Sequence, residues 1–206
     1  MEVNPHDLIR IKGYSYLITD AQEPEWVKVA LTQAPYVVVR RAPMEKGHIP
    51  IGIRGQQRHE RFAAFLPQDA VTEVITPEQL VTQKQWKQSS RYYQLPILQA
   101  LDDIYEIFQL YDLVWGPVGS VGFELVSGIP TVKDASDLDI IVRLPHFPSI
   151  ETARQLVAEL TRIPIRMDVQ LEIPAGAVSL LEYSQGSQLI LLKSVCGPKL
   201  ISHPYR

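Results

Sequence analysis

The sequence has a single cysteine and no long hydrophobic run, and both shortages restrict its class. Cys196 has no second cysteine to pair with, which excludes an internal disulfide and fits a protein of the reducing cytoplasm. No apolar stretch approaches the ~20 residues of a membrane-spanning helix, and the N-terminal residues Met1–Pro5 lack a signal-peptide pattern. The formal net charge of −3 at pH 7 gives no indication of nucleic-acid binding. We therefore expect a cytoplasmic protein that binds neither membrane nor nucleic acid.

The composition is that of a globular α+β protein with room for one good core or two small ones. The chain has 206 residues, of which 46% are hydrophobic and 21% charged. Residues 1–85 have the pattern of a small N-terminal α/β module, and residues 91–206 form a second domain. The polar residues 82–90 lie between them as the predicted linker, although Trp86 indicates that something docks there. The patterns also predict a helix over Ala175–Tyr183 and a core position for Cys196.

Two carboxylates open the most informative stretch of the chain. Asp137 and Asp139 are followed by the apolar run Ile140–Val142, which is typical of a buried strand. In a strand they share a face, with Cα atoms roughly 6.6 Å apart. Carboxylates this close repel each other and raise a pKa unless a cation lies between them, and Mg²⁺ prefers oxygen ligands. An Asp-x-Asp pair at a strand edge is common, so the pair alone is a weak indication of catalysis.

A glycine-serine turn precedes this stretch. Gly119 and Ser120 lie between an apolar segment ending at Trp115 and a predicted helix beginning near Val121. Small residues at a strand-to-helix turn leave backbone N–H groups and a hydroxyl available to a phosphate. The turn and the Asp-x-Asp strand therefore predict the same kind of ligand, a metal-bound phosphate.

A third acid lies on a second alternating strand pattern. Asp168 is flanked by Met167 and Val169 and therefore points to the opposite face from them. The set formed by the Gly-Ser turn, Asp-x-Asp and a later strand Asp resembles the polymerase-beta-type nucleotidyltransferase fold, a mixed sheet with flanking helices. That resemblance implies two metal ions held by Asp137, Asp139 and Asp168, with Asp168 also activating the attacking hydroxyl. Sixteen residues separate Ser120 from Asp137, which indicates an inserted loop around residues 127–130.

A basic cluster lies in the N-terminal module. Arg54, Arg58 and Arg61 fall within eight residues, beside Gly52 and Gly55. Arg58 and Arg61 are three positions apart, a spacing that allows a shared helical face. Guanidinium groups bind phosphate through a fork of donors. The cluster is therefore interpreted as a phosphate clamp, and the alternative is a solvated helix start.

Several short motifs in one order resemble a particular enzyme family. Besides those above, they are Pro5–Leu8, Val39–Ala42, Pro50–Gly55, Leu192–Lys193 and Gly197–Pro198. The whole chain resembles the phosphoribosyl-dephospho-CoA transferases of malonate decarboxylase, also called holo-acyl-carrier-protein synthases. The resemblance implies that a serine of the apo acyl carrier subunit attacks 2'-(5''-triphosphoribosyl)-3'-dephospho-CoA and that diphosphate leaves.

The resemblance also assigns roles, some of which stay open. Gly119 and Ser120 would hold the triphosphate, and Mg²⁺ would be the cofactor. Lys193 would neutralise the leaving group or would be a surface lysine. The three arginines would grip either phosphates of the dephospho-CoA half or an acidic face of the carrier. Two other functions remain: a nucleotidyltransferase that moves AMP from ATP onto a protein or small molecule, and a non-catalytic carrier-binding subunit.

Overall fold

The chain forms two compact units, residues 1–76 and residues 77–206, called here the N-terminal and C-terminal units. The structure is a computed structural model, and it describes residues 2–57 and 59–204. Among those residues, no helix is both long and apolar enough to cross a membrane. The predicted α+β class is confirmed, since each unit combines one sheet with helices.

In its described residues, the N-terminal unit is an antiparallel five-stranded sheet with one α-helix and two short 3₁₀ helices. Its elements are β1 (Leu8–Ile11), α1 (Glu25–Gln33), β2 (Tyr36–Val39), β3 (Ile49–Arg54), β4 (Arg61–Leu66) and β5 (Val71–Ile75). The strand order is β4-β3-β2-β1-β5. Alternating apolar side chains of the strands, such as Ile49, Ile51 and Ile53, pack with Val27 and Leu31 of α1 in the core.

As far as the structure describes it, the C-terminal unit is a mixed six-stranded sheet with five α-helices and one short 3₁₀ helix. Its elements are α2 (Pro77–Thr82), α3 (Pro96–Leu110), β6 (Val114–Pro117), α4 (Gly119–Ser127), β7 (Leu138–Arg143), α5 (Ile150–Leu160), β8 (Met167–Ile173), β9 (Gly176–Ser179), α6 (Leu180–Gln185), β10 (Leu189–Ser194) and β11 (Gly197–Ser202). The strand order is β11-β10-β9-β8-β7-β6. Among the strands described in residues 77–204, β7 and β8 form the one parallel pair, and the other neighbours are antiparallel.

The parallel pair depends on α5, which connects the two strands. Ser149 caps this helix by accepting a hydrogen bond from the Thr152 backbone N–H at 3.0 Å. The helix buries Ala153, Leu156 and Leu160, so it packs one apolar side and leaves the other in solvent. β7 lies inside the sheet, and its apolar run is at most 1% exposed on both faces, as expected for a central strand.

The segment predicted to be the linker is packed into the C-terminal unit. Trp86 is fully buried, and its Nε1–H donates to Asp102 Oδ1 at 3.0 Å. Lys87 Nζ lies 3.1 Å from the same oxygen, and the Tyr92 hydroxyl donates to Asp102 Oδ2. The hydrogen bond to this carboxylate raises the pKa of Tyr92 to about 12. Burial raises the pKa of Asp102, but the hydrogen bonds from Tyr92, Trp86 and Lys87 outweigh it and hold the pKa below its ordinary value.

Three local predictions were wrong. Residues Gly176–Ser179 form strand β9, and the predicted helix begins only at Leu180. Cys196 is exposed, in the tight turn between β10 and β11, and not in the core. Arg61 begins strand β4, so it has no helical face to share. In each case strand pairing determined the local structure, because the formation of a strand depends on contacts with the adjacent strand more than on the local residue pattern.

Candidate active site

Asp139 and Asp168 lie directly opposite each other on β7 and β8. They are partners in the parallel register, one of six consecutive pairs. Paired residues of neighbouring strands point to the same face, and such strands lie about 4.8 Å apart. The two carboxylates therefore share one face at close range, as the sequence predicted. Both side chains are partly exposed, so the face that carries them is open to a ligand.

The glycine-serine turn touches the first of these acids. Gly119 has φ of +60°, in the left-handed region that favours glycine. A Cβ placed on it would lie 2.1 Å from Asp139 Oδ2, so any other residue would displace this carboxylate. The backbone N–H of Val118 donates to the Asp139 carbonyl at 2.9 Å and fixes the turn against β7. The turn that begins α4 and the acid on β7 thus form one arrangement.

Asp137 forms an ion pair with Arg166. It precedes the first residue of β7, and its Oδ1 lies 2.9 Å from Arg166 Nε. Within residues 2–57 and 59–204, no group of three acidic, histidine or cysteine side chains is arranged to hold a metal ion. Asp139 and Asp168 offer the oxygen donors that Mg²⁺ prefers. The Asp137 carboxylate is a further oxygen donor, available to a metal ion when it is not paired with Arg166.

The loop between α4 and β7 is anchored by a buried ion pair that the sequence reasoning missed. The Glu124 side chain is 5% exposed and accepts two hydrogen bonds from Arg91 Nη1, at 2.8 and 2.9 Å. The same carboxylate accepts from the backbone N–H groups of Thr131 and Val132, each at 2.7 Å. A carboxylate inside an apolar helix was the available signal, because a buried charge requires a partner.

The anchored loop also reaches the glycine-serine turn. Thr131 Oγ1 donates to the Ser120 carbonyl at 2.9 Å. Further along the loop, the Lys133 backbone N–H donates to Ser136 Oγ at 2.9 Å, one residue before Asp137. The inserted residues thus connect the start of α4 to the start of β7, where the predicted site lies.

Lys193 lies on the same face of the sheet as Asp139 and Asp168, but at a different position along the strands. Lys193, Ala177, Glu172 and Arg143 are successive partners across four strands. Glu172 lies four residues beyond Asp168, about 13 Å along β8. That row already contains an ion pair between Arg143 Nε and Glu172 Oε2 at 3.2 Å. The structure therefore does not bring Lys193 beside the carboxylates.

The predicted arginine cluster lies in the hairpin of β3 and β4. Arg54 and Arg61 are direct partners in the antiparallel register. Arg61 Nη1 donates to the Glu60 carbonyl at 2.8 Å, and the turn closes through Gly55 N–H to the Glu60 carbonyl at 3.0 Å. Arg58 lies outside the described residues. The two described arginines are brought together by strand pairing rather than by a helix.

Comparisons with known proteins identify the same family at both ends of the chain. Residues 4–77 match the family model described as the phosphoribosyl-dephospho-CoA transferase MdcG N-terminal domain, and residues 81–204 match its C-terminal domain. The chain is 39% identical to the phosphoribosyl-dephospho-CoA transferase of Pseudomonas putida over 203 residues, 98% of this chain and 94% of that protein. It is 36% identical to the protein of that name from Azotobacter vinelandii over 203 residues, with 98% and 94% covered. No solved structure matches the chain.

Proposed function

The chain belongs to the phosphoribosyl-dephospho-CoA transferase family, and we propose that it works by nucleotidyl transfer at Asp137, Asp139 and Asp168. It is the enzyme that installs the prosthetic group on the acyl carrier of malonate decarboxylase. The observation that carries the proposed mechanism is the direct pairing of Asp139 with Asp168, with Gly119 packed against the first acid.

The reaction is a substitution at the α-phosphorus of 2'-(5''-triphosphoribosyl)-3'-dephospho-CoA. The serine oxygen of the carrier forms a new bond to that phosphorus, and the bond to the β-phosphate breaks, so diphosphate leaves. Asp168 accepts the serine proton, because a carboxylate beside the reacting hydroxyl acts as a general base. Gly119 and Ser120 hold the triphosphate with backbone N–H groups at the start of α4.

Mg²⁺ is the cofactor we propose for this site. Asp139 and Asp168 would hold it, joined by Asp137. The ion would neutralise charge on the triphosphate and polarise the phosphoryl group. Binding in this way also removes the repulsion between the paired carboxylates. Arg166, which pairs with Asp137 at 2.9 Å, competes with the cation for that carboxylate in this proposal.

The remaining predicted residues bind the donor in this proposal. Arg54 and Arg61 face each other on one hairpin, an arrangement suited to a shared phosphate of the dephospho-CoA half. Arg58 belongs to the same predicted clamp. An acidic face of the carrier is the other ligand that suits these arginines. Lys193 lies on the face of the acids, where it would meet an extended part of the donor rather than the leaving group.

The experiment that tests the function offers the enzyme two donors. The purified protein is mixed with Mg²⁺, apo acyl carrier subunit, and either triphosphoribosyl-dephospho-CoA or ATP, and the carrier mass is measured. We expect the carrier to gain the phosphoribosyl-dephospho-CoA group with the first donor and no AMP with the second. Donor surface bound away from the reacting phosphate positions the larger donor and raises its rate.

Two other outcomes would replace this proposal. Addition of AMP from ATP, without prosthetic-group transfer, would identify a general adenylyl transferase. No mass change with either donor, alongside tight carrier binding, would identify a non-catalytic binding subunit. A carrier whose acceptor serine is replaced by alanine is the matched control, because it must stay unmodified with both donors.

A further inference from the structure

A groove beside Asp168 has no role in the reaction described above. It lies between the C-terminal half of α5, the start of β8 and the start of α6, and its volume is about 280 Å³. Its walls are mainly apolar and include Leu160, Ile163, Val169, Leu180 and Leu181. Asp168 lines the same groove. An apolar groove adjoining a proposed catalytic acid is positioned to bind a part of the substrate next to the reacting group.

The edge of β8 supplies polar groups to this groove. The pairing of β8 with β9 ends at Gln170 and Ser179, so at Met167 and Val169 the described chain places no strand beside β8 on that side. The Arg166 carbonyl accepts from the Leu138 N–H at 2.9 Å and therefore points toward β7. Backbone groups of successive strand residues point to opposite sides. Those of Met167 and Val169 consequently point away from β7, toward the groove that these residues line.

This edge presents a donor and an acceptor side by side. The Met167 carbonyl and the Val169 N–H lie two residues apart on the same side of one strand, between apolar walls. A flat ring with an acceptor and a donor on adjacent positions of one edge fits such a pair. Adenine has that pattern, because N1 accepts and the N6 amino group donates. Its two faces are apolar enough to pack against leucine and isoleucine.

We propose that this groove binds the adenine ring of the dephospho-CoA part of the donor. This inference rests on the proposed function, since the donor is what carries the adenine. In that donor the ring is joined to the reacting phosphate through two ribose rings, and Asp168, which lines the groove, is the acid proposed to act at that phosphate. A carrier protein needs a contact surface of about 800 Å² on each partner, which is far more than the lining of one groove. The groove volume is about 280 Å³. A single base fits it.

The first test changes the ligand and leaves the protein intact. Dephospho-CoA and 1,N6-etheno-dephospho-CoA are titrated into the wild-type enzyme by calorimetry. The etheno bridge occupies both N1 and N6, so it removes the proposed pair of hydrogen bonds while keeping a flat ring. We expect the etheno compound to bind about tenfold more weakly, as expected when polar groups lose their partners. Equal affinity of the two compounds would overturn the proposal.

The second test fills the groove. The Leu181 side chain is 58% exposed and lines the groove, so Leu181→Trp adds bulk there without enlarging a core residue. The matched control is Leu189→Trp, at a leucine of β10 that is 52% exposed and does not line the groove. We expect Leu181→Trp to weaken dephospho-CoA about tenfold and Leu189→Trp to leave its affinity unchanged. Thermal unfolding of both variants checks that each is folded.

The outcomes separate the groove from the reaction. No detectable binding of dephospho-CoA, or equal binding by both tryptophan variants, would overturn the adenine site. Loss of carrier binding alone in Leu181→Trp would identify the groove as a carrier contact and overturn it too. Transfer from the full donor is measured separately with the wild-type enzyme. If transfer fails while dephospho-CoA behaves as expected, the proposed reaction is wrong and the adenine site stands.

Discussion

Asp139 and Asp168 face each other across a parallel strand pair, whereas Arg54 and Arg61 face each other across an antiparallel hairpin. Both pairs place like charges at directly opposite positions, an arrangement that destabilises a sheet. The repulsion within each pair falls when a ligand of opposite charge binds between the two side chains. The acid pair suits a cation and the arginine pair suits an anion, so each unit carries a like-charged pair that matches a ligand of the opposite charge.

The two pairs differ in what fixes their register. The hairpin turn between β3 and β4 aligns the two arginines through local hydrogen bonds, such as Gly55 N–H to the Glu60 carbonyl at 3.0 Å. The acids lie 29 positions apart, and a parallel pair requires a crossover. The packing of α5 against the sheet therefore sets their alignment. The acid pair depends on tertiary structure, and the arginine pair does not.

The largest expected effect comes from removing one member of the acid pair. Asp139→Asn should lower the rate of prosthetic-group transfer about 10⁴-fold, because it removes a metal ligand and the charge that balances the triphosphate complex. Carrier mass measured over time gives the rate. The matched control is Asp134→Asn, at an exposed aspartate of the preceding loop, which should be fully active. Near-normal transfer by Asp139→Asn at saturating Mg²⁺ would exclude Asp139 from the metal site.

The other member of the acid pair should affect rate more than binding. Asp168→Asn should lower the rate constant about 10³-fold, because the interaction with the serine proton strengthens only in the transition state. Donor affinity, measured by calorimetry with Ca²⁺ in place of Mg²⁺, should change little. Loss of affinity with an unchanged rate constant would make Asp168 a binding residue instead. Asp139→Asn should instead lower both the rate constant and the donor affinity, so the two variants distinguish the roles of the two acids.

Several features of this site were predictable because they depend on strand alternation alone. Alternation along β7 puts Asp139 on the face opposite to Leu138 and Ile140, and alternation along β8 puts Asp168 opposite to Met167 and Val169. Asp137 precedes the first residue of β7, so alternation does not place it. The glycine-serine turn was visible as two small residues between an apolar segment and a helical pattern. Its left-handed φ and the close approach of Asp139 appear only in the structure. The α+β class followed from the order of helical and strand patterns.

Other features depend on contacts between distant residues and were not predictable. The pairing of Arg166 with Asp137 joins two loops, and the bonds of Arg91 with Glu124 join segments 33 positions apart. The segment 82–90 looks like a linker because its residues are polar. The hydrogen bond to Asp102 on α3 and the ring contacts with Tyr105 and Trp115 explain the burial of Trp86. The helical prediction for Arg61 was wrong because its spacing from Arg58 fits a helix, whereas pairing with Arg54 on the adjacent strand determines its conformation.

The next largest effect should be a loss of stability when the Arg91–Glu124 ion pair, which anchors the inserted loop, is broken. Arg91→Ala leaves the Glu124 carboxylate buried with only backbone partners, and breaking a buried ion pair costs several kcal/mol. The Arg91 side chain is 27% exposed, so we expect a loss of about 3 kcal/mol in the free energy of unfolding of the C-terminal unit. Urea denaturation measures it. Arg162→Ala, which removes an exposed i,i+3 ion pair, should cost less than about 1 kcal/mol.

A smaller effect is expected from the arginine pair. Arg61→Ala should weaken binding of the full donor by about 1–2 kcal/mol, the scale of a charge-assisted hydrogen bond. Arg10→Ala, at an exposed arginine of the same sheet, is the control and should bind normally. Calorimetry with the donor and with the apo carrier separates the two possible ligands. A loss of carrier binding alone would make the hairpin a docking surface for the carrier and would exclude it as a phosphate clamp.

The smallest effect should come from removing the ion pair between Asp137 and Arg166. Its partner Arg166 is 76% exposed and Asp137 is 42% exposed, and exposed ion pairs contribute at most about 1 kcal/mol. Arg166→Gln frees the carboxylate for the cation, so the Mg²⁺ concentration needed for half-maximal transfer should fall about two- to fivefold. Arg162→Gln, at another exposed arginine of the same unit, should leave it unchanged. A rise in the Mg²⁺ requirement would mean that Arg166 supports the metal-bound substrate and does not compete with the cation for Asp137.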